Sequence, residues 1–263
     1  QACASIMSLN APITDWKGKR VWLIGASSGI GAALASAMLE AGASVVLSAR
    51  REDQLTAVAA NAPKAHVLAM DVTDETVWPQ AFARVIESLG GLDLVVFGAA
   101  RYDPAHSWEI DPAQVEKSFE LNVVCIYRGL SVLIPYFLKQ GSGGIAMIAS
   151  ISAYTGLPRT LIYGATKAAL NHLAQTLYFE LAPKGLSVYL INPGFVETPM
   201  TSVNDFSMPG LMKPAAAAEH ILKGFRKGRF EICFPLGVAR TLRFIARLPD
   251  RIRFTLLHKL TKM

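Results

Sequence analysis

A short apolar run, Arg20 to Ile24, passes directly into Gly25-Ala26-Ser27-Ser28-Gly29-Ile30-Gly31 and then into an alanine-rich stretch of helical period that ends at Gly42. Strand, glycine turn and helix in that order bring backbone N–H groups and a helix N-terminus to one point, where a pyrophosphate can sit. The spacing G-x-x-x-G-x-G differs from the commoner G-x-G-x-x-G. Gly25, Gly29 and Gly31 therefore carry the turn and the close approaches, with Ser27, Ser28 and Ile30 as the backbone between them. A second strand, Ser44 to Ala49, runs into Arg50 and Arg51. A carboxylate near this point suits an unphosphorylated ribose, whereas an arginine accommodates a 2′-phosphate, so NADP(H) is favoured over NAD(H).

The alternation continues. Ala65 to Met70 predicts a third strand leading to Asp71-Val72, followed by a helix over about 74–89, and Asp93 to Gly98 predicts a fourth strand. Pro112 to Lys139 has a long helical pattern that carries Asn122 in apolar surroundings. A buried amide needs partners, so Asn122 either satisfies a kinked backbone or joins a polar relay. Ile145 to Ala149 predicts a fifth strand, a helix follows to about Ala182, and Leu186 to Ile191 predicts a sixth strand that breaks at Asn192-Pro193-Gly194. Pro214 to Lys227 reads as a helix and Phe230 to Phe234 as a last edge strand. Strands alternating with helices imply a single α/β domain with a doubly wound parallel sheet, whose ligands bind at the carboxyl ends of the strands. The glycine turn, Asp71, the Gly98 loop, Ser150 and the Asn192-Pro193-Gly194 turn all fall at such ends.

The stretch Ser150 to Lys167 is where chemistry is expected. Tyr163 and Lys167 are four apart at the start of a helical run, so they share a face. An ammonium about 6 Å from a phenol, at an effective dielectric near 20, contributes about 3 kcal/mol, roughly two pKa units downward. That predicts a tyrosine able to give and take a proton near neutrality. Ser150, thirteen residues upstream at the end of a strand, could bind a substrate oxygen.

Composition sets bounds. At 263 residues and 52% hydrophobic, the chain has ample material for one core. No uninterrupted apolar run reaches the roughly 18 residues that cross a bilayer. Three scattered cysteines, Cys3, Cys125 and Cys233, fit a reducing compartment and a cytoplasmic location, with no disulfide framework. The five histidines form no ligand-spaced pair, so no metal site is expected. Residues 1–18 are set aside as an N-terminal segment, in which Gln1 to Ile6 are expected to be an expression or processing remnant ahead of a native start at Met7.

Taken together, the glycine turn, Asp71-Val72, Asn122, Ser150 thirteen before Y-x-x-x-K, and N-P-G-x-x-x-T resemble the short-chain dehydrogenase/reductase family over about Lys19 to Pro235. The resemblance implies a Rossmann-like domain over 19–235 and an NADP-dependent oxidoreductase that interconverts a ketone or aldehyde with an alcohol. It implies that Tyr163 exchanges the proton, Lys167 lowers the tyrosine pKa and binds the nicotinamide ribose, Ser150 holds the substrate oxygen, and Asn122 supports a water-mediated proton path. Gly25, Gly29 and Gly31 would lie under the pyrophosphate and Asp71 and Val72 against the adenine. Gly98, Pro193, Gly194, Val196 and Thr198 would also contact the cofactor, with Pro193, Gly194 and Thr198 near the nicotinamide. A homodimer or homotetramer is expected by the same analogy. The sequence departs from the family at Phe97-Gly98-Ala99-Ala100, where N-N-A-G is usual, which is expected to bring a large ring near the crevice. It also has Ile24 where threonine is common.

Two stretches vary most. Pro199 to Lys213 contains three methionines and a phenylalanine, which suits cover over a fairly apolar, even lipid-like, small-molecule substrate. Residues 236–263 form a basic tail with seven Lys and Arg against one Asp, a balance of +6 that equals the whole-chain net charge. Two short amphipathic helices there could lie on an anionic membrane surface, cap the crevice, or pack on the body. Nucleic-acid binding is disfavoured, because the tail lacks aromatics interleaved for base stacking. Besides the enzyme, two other readings stay open: a catalytically weak nucleotide-binding scaffold or redox sensor, and a membrane-surface lipid-binding protein.

Overall fold

A computed structural model describes residues 8–60, 62–202 and 207–261. The expectations for Gln1 to Met7 and for residues 203–206 of the substrate-covering stretch lie outside the described residues.

Seven strands form one sheet: β1 (Arg20–Ile24), β2 (Ser44–Ala49), β3 (Ala65–Ala69), β4 (Leu94–Phe97), β5 (Gly143–Ile148), β6 (Leu186–Pro193) and β7 (Glu231–Phe234). Their order is β3-β2-β1-β4-β5-β6-β7, and every pairing is parallel. The helices are α1 (Gly29–Glu40), α2 (Glu52–Ala59), α3 (Val77–Leu89), α4 (Pro112–Phe119), α5 (Cys125–Gln140), α6 (Leu161–Leu181), α7 (Pro214–Arg226), α8 (Leu236–Ala246) and α9 (Asp250–Thr261).

Strand periodicity divides the core in two. Trp22, Ile24, Val95, Phe97, Ile145 and Met147 point to the face covered by α3, α5 and α6, where Trp78, Leu130, Phe137 and Leu170 meet them. Val21, Leu23, Val45, Leu47, Ala146 and Ile191 point to the other face, against Leu34, Met38, Ile221 and Phe225 of α1 and α7. Alternate residues buried on both faces are what a sheet with helices on each side requires. The run Pro112–Gln140 is long and apolar enough to pass as a membrane span by length and composition. Its Ile126, Leu130, Leu133 and Phe137 are buried in the core cluster beneath the sheet, so its apolar stripe is that of a core helix.

Two expectations change here. Phe97 turns away from the crevice: its ring is 3% exposed and lies 6.2 Å from that of Trp78. Strand alternation sends Phe97 into the α3–α5 layer. There Gly129 leaves the room the two rings need, since a Cβ at that position would come within 2.8 Å of Phe97 Cε1. The sixth strand does not break at Asn192. It continues through Pro193, because Asn192 pairs with Cys233 and Pro193 with Phe234 on the edge strand β7.

The described part of the N-terminal segment is built into the domain. Trp16 is buried and meets Phe225 edge-on at 5.7 Å. Asn10 Nδ2 donates to Val188 O at 2.7 Å, and Asn10 Oδ1 accepts from Val188 N–H at 3.0 Å. One side chain thus satisfies both backbone groups of a buried strand residue. Because unpaired buried polar groups are costly, Asn10→Ala is expected to lower stability by about 2–3 kcal/mol. For a domain of this size that is roughly 5–10 °C in Tm. A thermal melt unchanged from the parent would contradict the assignment.

Candidate active site

The carboxyl ends of the strands open into a cleft of about 260 Å³. Its floor at one end is the glycine turn. Gly25 has φ +88°, and a Cβ there would lie 2.4 Å from Ala99 N, so the turn can pass the β4 loop only without a side chain. A Cβ on Gly31 would lie 2.0 Å from Gly25 O, which fixes how closely α1 approaches its own turn. Ser28 stands at the N-cap of α1 with no capping bond from its side chain, and the first turn holds no acidic residue. The first-turn N–H groups therefore lack a side-chain partner beside the cleft, a donor set suited to phosphate oxygens. Thr198 packs opposite, with its Cγ2 2.8 Å from where a Gly29 Cβ would be.

Further along, Arg50 and Arg51 line the cleft at the end of β2, and among the described residues neither makes an ion pair. Ser27, Ile30, Val72, Gly98, Pro193, Gly194 and Val196 also line it, with Ala49, Met70, Leu121, Met200 and Thr201, which the sequence reading did not single out. Asp71 is the exception. It is exposed, and its Oδ1 accepts from both the N–H and the hydroxyl of Thr73, at 3.0 and 2.8 Å. This local turn engages one carboxylate oxygen, and Val72, not Asp71, is among the residues that line the cleft.

At the other end Ser150, Tyr163 and Lys167 meet. Ser150 caps a 3₁₀ turn, Ile151–Ala153, through its Oγ, which accepts from Ser152 N–H at 3.1 Å. Its side chain neighbours the Tyr163 phenol, in the first turn of α6, and both line the same end of the cleft. Lys167 follows one turn later. It is 2% exposed, its Nζ donates to Ile148 O at 2.9 Å, and it lies 5.4 Å from the centre of the Tyr163 ring. Tyr102 meets the Tyr163 ring edge-on at 5.1 Å from the side of the β4 loop.

The protonation pattern corrects the expectation from spacing. Burial dominates, pushing the Tyr163 phenol above its ordinary value, against a smaller opposing effect of the Ser150 hydrogen bond. Burial also brings the Lys167 ammonium down, to about 8. Desolvation outweighs the attraction because both groups lose water on the same buried helix face.

Asn122 lies in a π-helical turn, Glu120–Val124, between α4 and α5. Its Oδ1 accepts from Arg101 N–H at 2.8 Å, and its Nδ2 donates to Arg101 O at 3.0 Å and to Thr166 Oγ1 at 3.1 Å. Both amide hydrogens are therefore occupied. The side chain clamps the β4 loop to α6. Asn192, read from the sequence only as part of the turn after the sixth strand, has a place in the site. It is fully buried at the end of β6, and its Oδ1 accepts from Ser150 N–H at 3.1 Å. A lone asparagine ending an apolar strand was the available signal.

A parallel, doubly wound sheet with a glycine turn under its crevice and a tyrosine–lysine pair beside a strand-end serine defines a class of dinucleotide-binding oxidoreductases. The family model described as short chain dehydrogenase matches residues 19–206, and the chain belongs to that family. It is 38% identical over 192 residues to an uncharacterized oxidoreductase of Staphylococcus epidermidis, covering 72% of this chain and 83% of the relative. Among solved structures, 3-ketoacyl-(acyl-carrier-protein) reductase from Brucella melitensis, complexed with NADH, matches with a TM-score of 0.78 at 26% identity. That match covers 84% of this chain and 98% of the reductase. A 7α-hydroxysteroid dehydrogenase complexed with NADH and 7-oxo glycochenodeoxycholic acid matches with a TM-score of 0.77 at 26% identity, over 84% and 93% of the two chains.

The lowered lysine gives a pH test with a definite sign. Below pH 8 Lys167 is charged in both folded and unfolded chains, and the cost of burying that charge is felt in full. As pH rises from about 8 towards the ordinary value of 10.5, the folded side chain loses its proton first and the cost fades. The stability of the wild type relative to Lys167→Met should therefore rise by about 3 kcal/mol between pH 7 and a pH above the unfolded lysine's pKa. A difference that does not change with pH, measured by denaturant unfolding, would contradict it.

Proposed function

We propose that the protein is an NADP(H)-dependent oxidoreductase that interconverts a ketone or aldehyde with an alcohol on a fairly apolar substrate. The observation that carries this reading is that Ser150, Tyr163 and Lys167, the last one helical turn beyond the tyrosine, line one end of a cleft floored by the glycine turn. The uncapped first turn of α1, with Ser27 to Gly31, would hold the pyrophosphate. Arg50 and Arg51 would take a 2′-phosphate, and Val72 would face the adenine. Pro193, Gly194, Val196 and Thr198 would border the nicotinamide. When bound there, the nicotinamide supplies or accepts the hydride.

The chain's own residues handle the substrate oxygen. Ser150 Oγ hydrogen-bonds it and fixes its distance from Tyr163. In the reductive direction Tyr163 Oη transfers its proton to the oxygen as negative charge develops there. A phenol kept protonated by burial is in the form required for this step, and the far weaker acidity of an alcohol drives the transfer. The phenolate left behind is stabilised by the Lys167 ammonium. Met200 supplies an apolar wall of the cleft, consistent with a lipophilic carbonyl compound.

A second reading concerns location. On α8 and α9, Phe244, Ile252, Phe254 and Leu260 are more than half exposed, and they alternate with exposed Arg240, Arg247, Arg251 and Lys259. Apolar side chains interleaved with cations suit the interface of an anionic bilayer, where each Lys or Arg contributes about 1 kcal/mol. The tail would hold the enzyme at such a surface.

NADPH oxidation with decanal and a 3-oxosteroid as probes tests the chemistry. Tyr163→Phe should reduce turnover by about 10²–10⁴-fold while the Kd for NADPH stays within about twofold of the parent; an unimpaired rate discards the proton donor. Arg50→Ala combined with Arg51→Ala should weaken NADPH about tenfold or more, on the order of one charge-assisted phosphate contact, and leave NADH unaffected. Equal effects on both cofactors would remove the 2′-phosphate assignment. Full-length protein should sediment with phosphatidylcholine vesicles containing phosphatidylglycerol and not with phosphatidylcholine alone. Phe244→Asp with Phe254→Asp should abolish this, and equal partition of parent and variant rules the membrane reading out.

A further inference from the structure

A run of side chains connects the C-terminal extension to Ser150. Arg243 on α8 forms an ion pair with Glu231 Oε2 at the start of β7. Its guanidinium lies 4.8 Å from the centre of the Tyr154 ring, and its NH2 is 3.3 Å from the Tyr154 hydroxyl. The other carboxylate oxygen, Glu231 Oε1, accepts from the Tyr154 hydroxyl and from Asn192 Nδ2, the latter at 2.8 Å. Asn192 Oδ1 in turn accepts from Ser150 N–H.

The chemistry of this run is directional. A side-chain amide can turn over and exchange its donor and acceptor ends, and a buried asparagine between two indifferent partners would have two orientations. Here neither partner is indifferent. A carboxylate only accepts, and a backbone N–H only donates. Glu231 therefore draws Nδ2 to itself, which leaves Oδ1 facing Ser150. The ladder between β5 and β6 ends one residue earlier, with Ala149 N–H donating to Ile191 O at 2.7 Å. Asn192 extends it by one bond, at the serine that shares the cleft end with Tyr163. Arg243 matters because Glu231 is only 21% exposed at its side chain. Without a cation beside it, a carboxylate so placed turns towards water, or takes a proton and is no longer acceptor-only, and its hold on the orientation of the amide weakens.

We propose that Arg243, acting through Glu231 and Asn192, is a positioning residue for Ser150, so that α8 sets the geometry of the hydroxyl assigned to the substrate oxygen. This rests on the Ser150–Tyr163–Lys167 reading above. The extension is then part of the active site's framework, and a minimal domain ending at Pro235 would lack it.

Hydrogen–deuterium exchange on full-length protein tests this without a substrate. In Arg243→Met the Ser150 amide should exchange at least tenfold faster, while peptides covering Gly25–Gly31 and the Kd for NADPH remain as in the parent. Arg243→Lys, which keeps the charge, should restore most of the protection. Glu231→Gln should have the same effect as Arg243→Met, and the double variant should be no worse than Glu231→Gln alone. With whichever of decanal and the 3-oxosteroid the parent reduces, kcat should fall about tenfold in Arg243→Met with little change in KM. Unchanged exchange at Ser150, or faster exchange spread evenly over β5, β6 and β7, would overturn the proposal. If Tyr163→Phe keeps full turnover, the catalytic reading fails, whatever the exchange shows. If Tyr163→Phe is inactive and Arg243→Met is protected and fully active, only the positioning role fails.

Discussion

Parallel pairing across all seven strands is the constraint from which the site follows. Each strand enters the sheet from the same edge, so every loop that leaves a strand emerges on one rim. The order reverses between β1 and β4: the chain first builds outward to β3, then returns and builds outward the other way to β7. Loops on either side of the reversal splay apart and leave a crevice between them. The glycine turn after β1 and the small Gly98-Ala99-Ala100 loop after β4 border that crevice, and backbone contact between Gly25 and Ala99 holds its floor.

Pattern and spacing revealed much of this. Apolar runs separated by helical stretches located all seven strands, because a strand buried on both faces has few other ways to look in sequence. The glycine turn, the two arginines after Ala49 and the Ser150–Tyr163–Lys167 spacing each depend on local geometry, and local geometry survives folding. What depends on the third dimension was not legible. The direction of the Phe97 ring is set by strand parity and by Gly129 thirty-two residues away. The orientation of Asp71 is set by a competing turn with Thr73. The pKa of Tyr163 is set by burial, which pairwise spacing to Lys167 does not contain. Asn122 was recognised as needing partners, but only the folded chain identifies them as Arg101 and Thr166.

The buried polar groups divide by purpose. Asn10, Asn122 and Asn192 each join segments far apart in sequence, and each uses an amide to satisfy backbone groups that no strand or helix partner reaches. Lys167 is different. Its one hydrogen bond among the described residues, to Ile148 O, leaves a desolvated cation on the face of α6 that holds Tyr163. A group with a lowered pKa at a cleft end is a costly way to stabilise a fold; under the proposed function its charge would serve a developing phenolate. The apolar packing around it supplies the stability, and the lysine supplies the charge.

The most direct measurement is a crystal structure of the protein grown with NADP⁺. Density for the nicotinamide should lie between Tyr163 and the Pro193-Gly194 turn, with Lys167 Nζ on its ribose and the 2′-phosphate between Arg50 and Arg51. A nicotinamide ring seated away from Tyr163, or a cofactor whose adenine end lies at Ser150, would contradict the site as described.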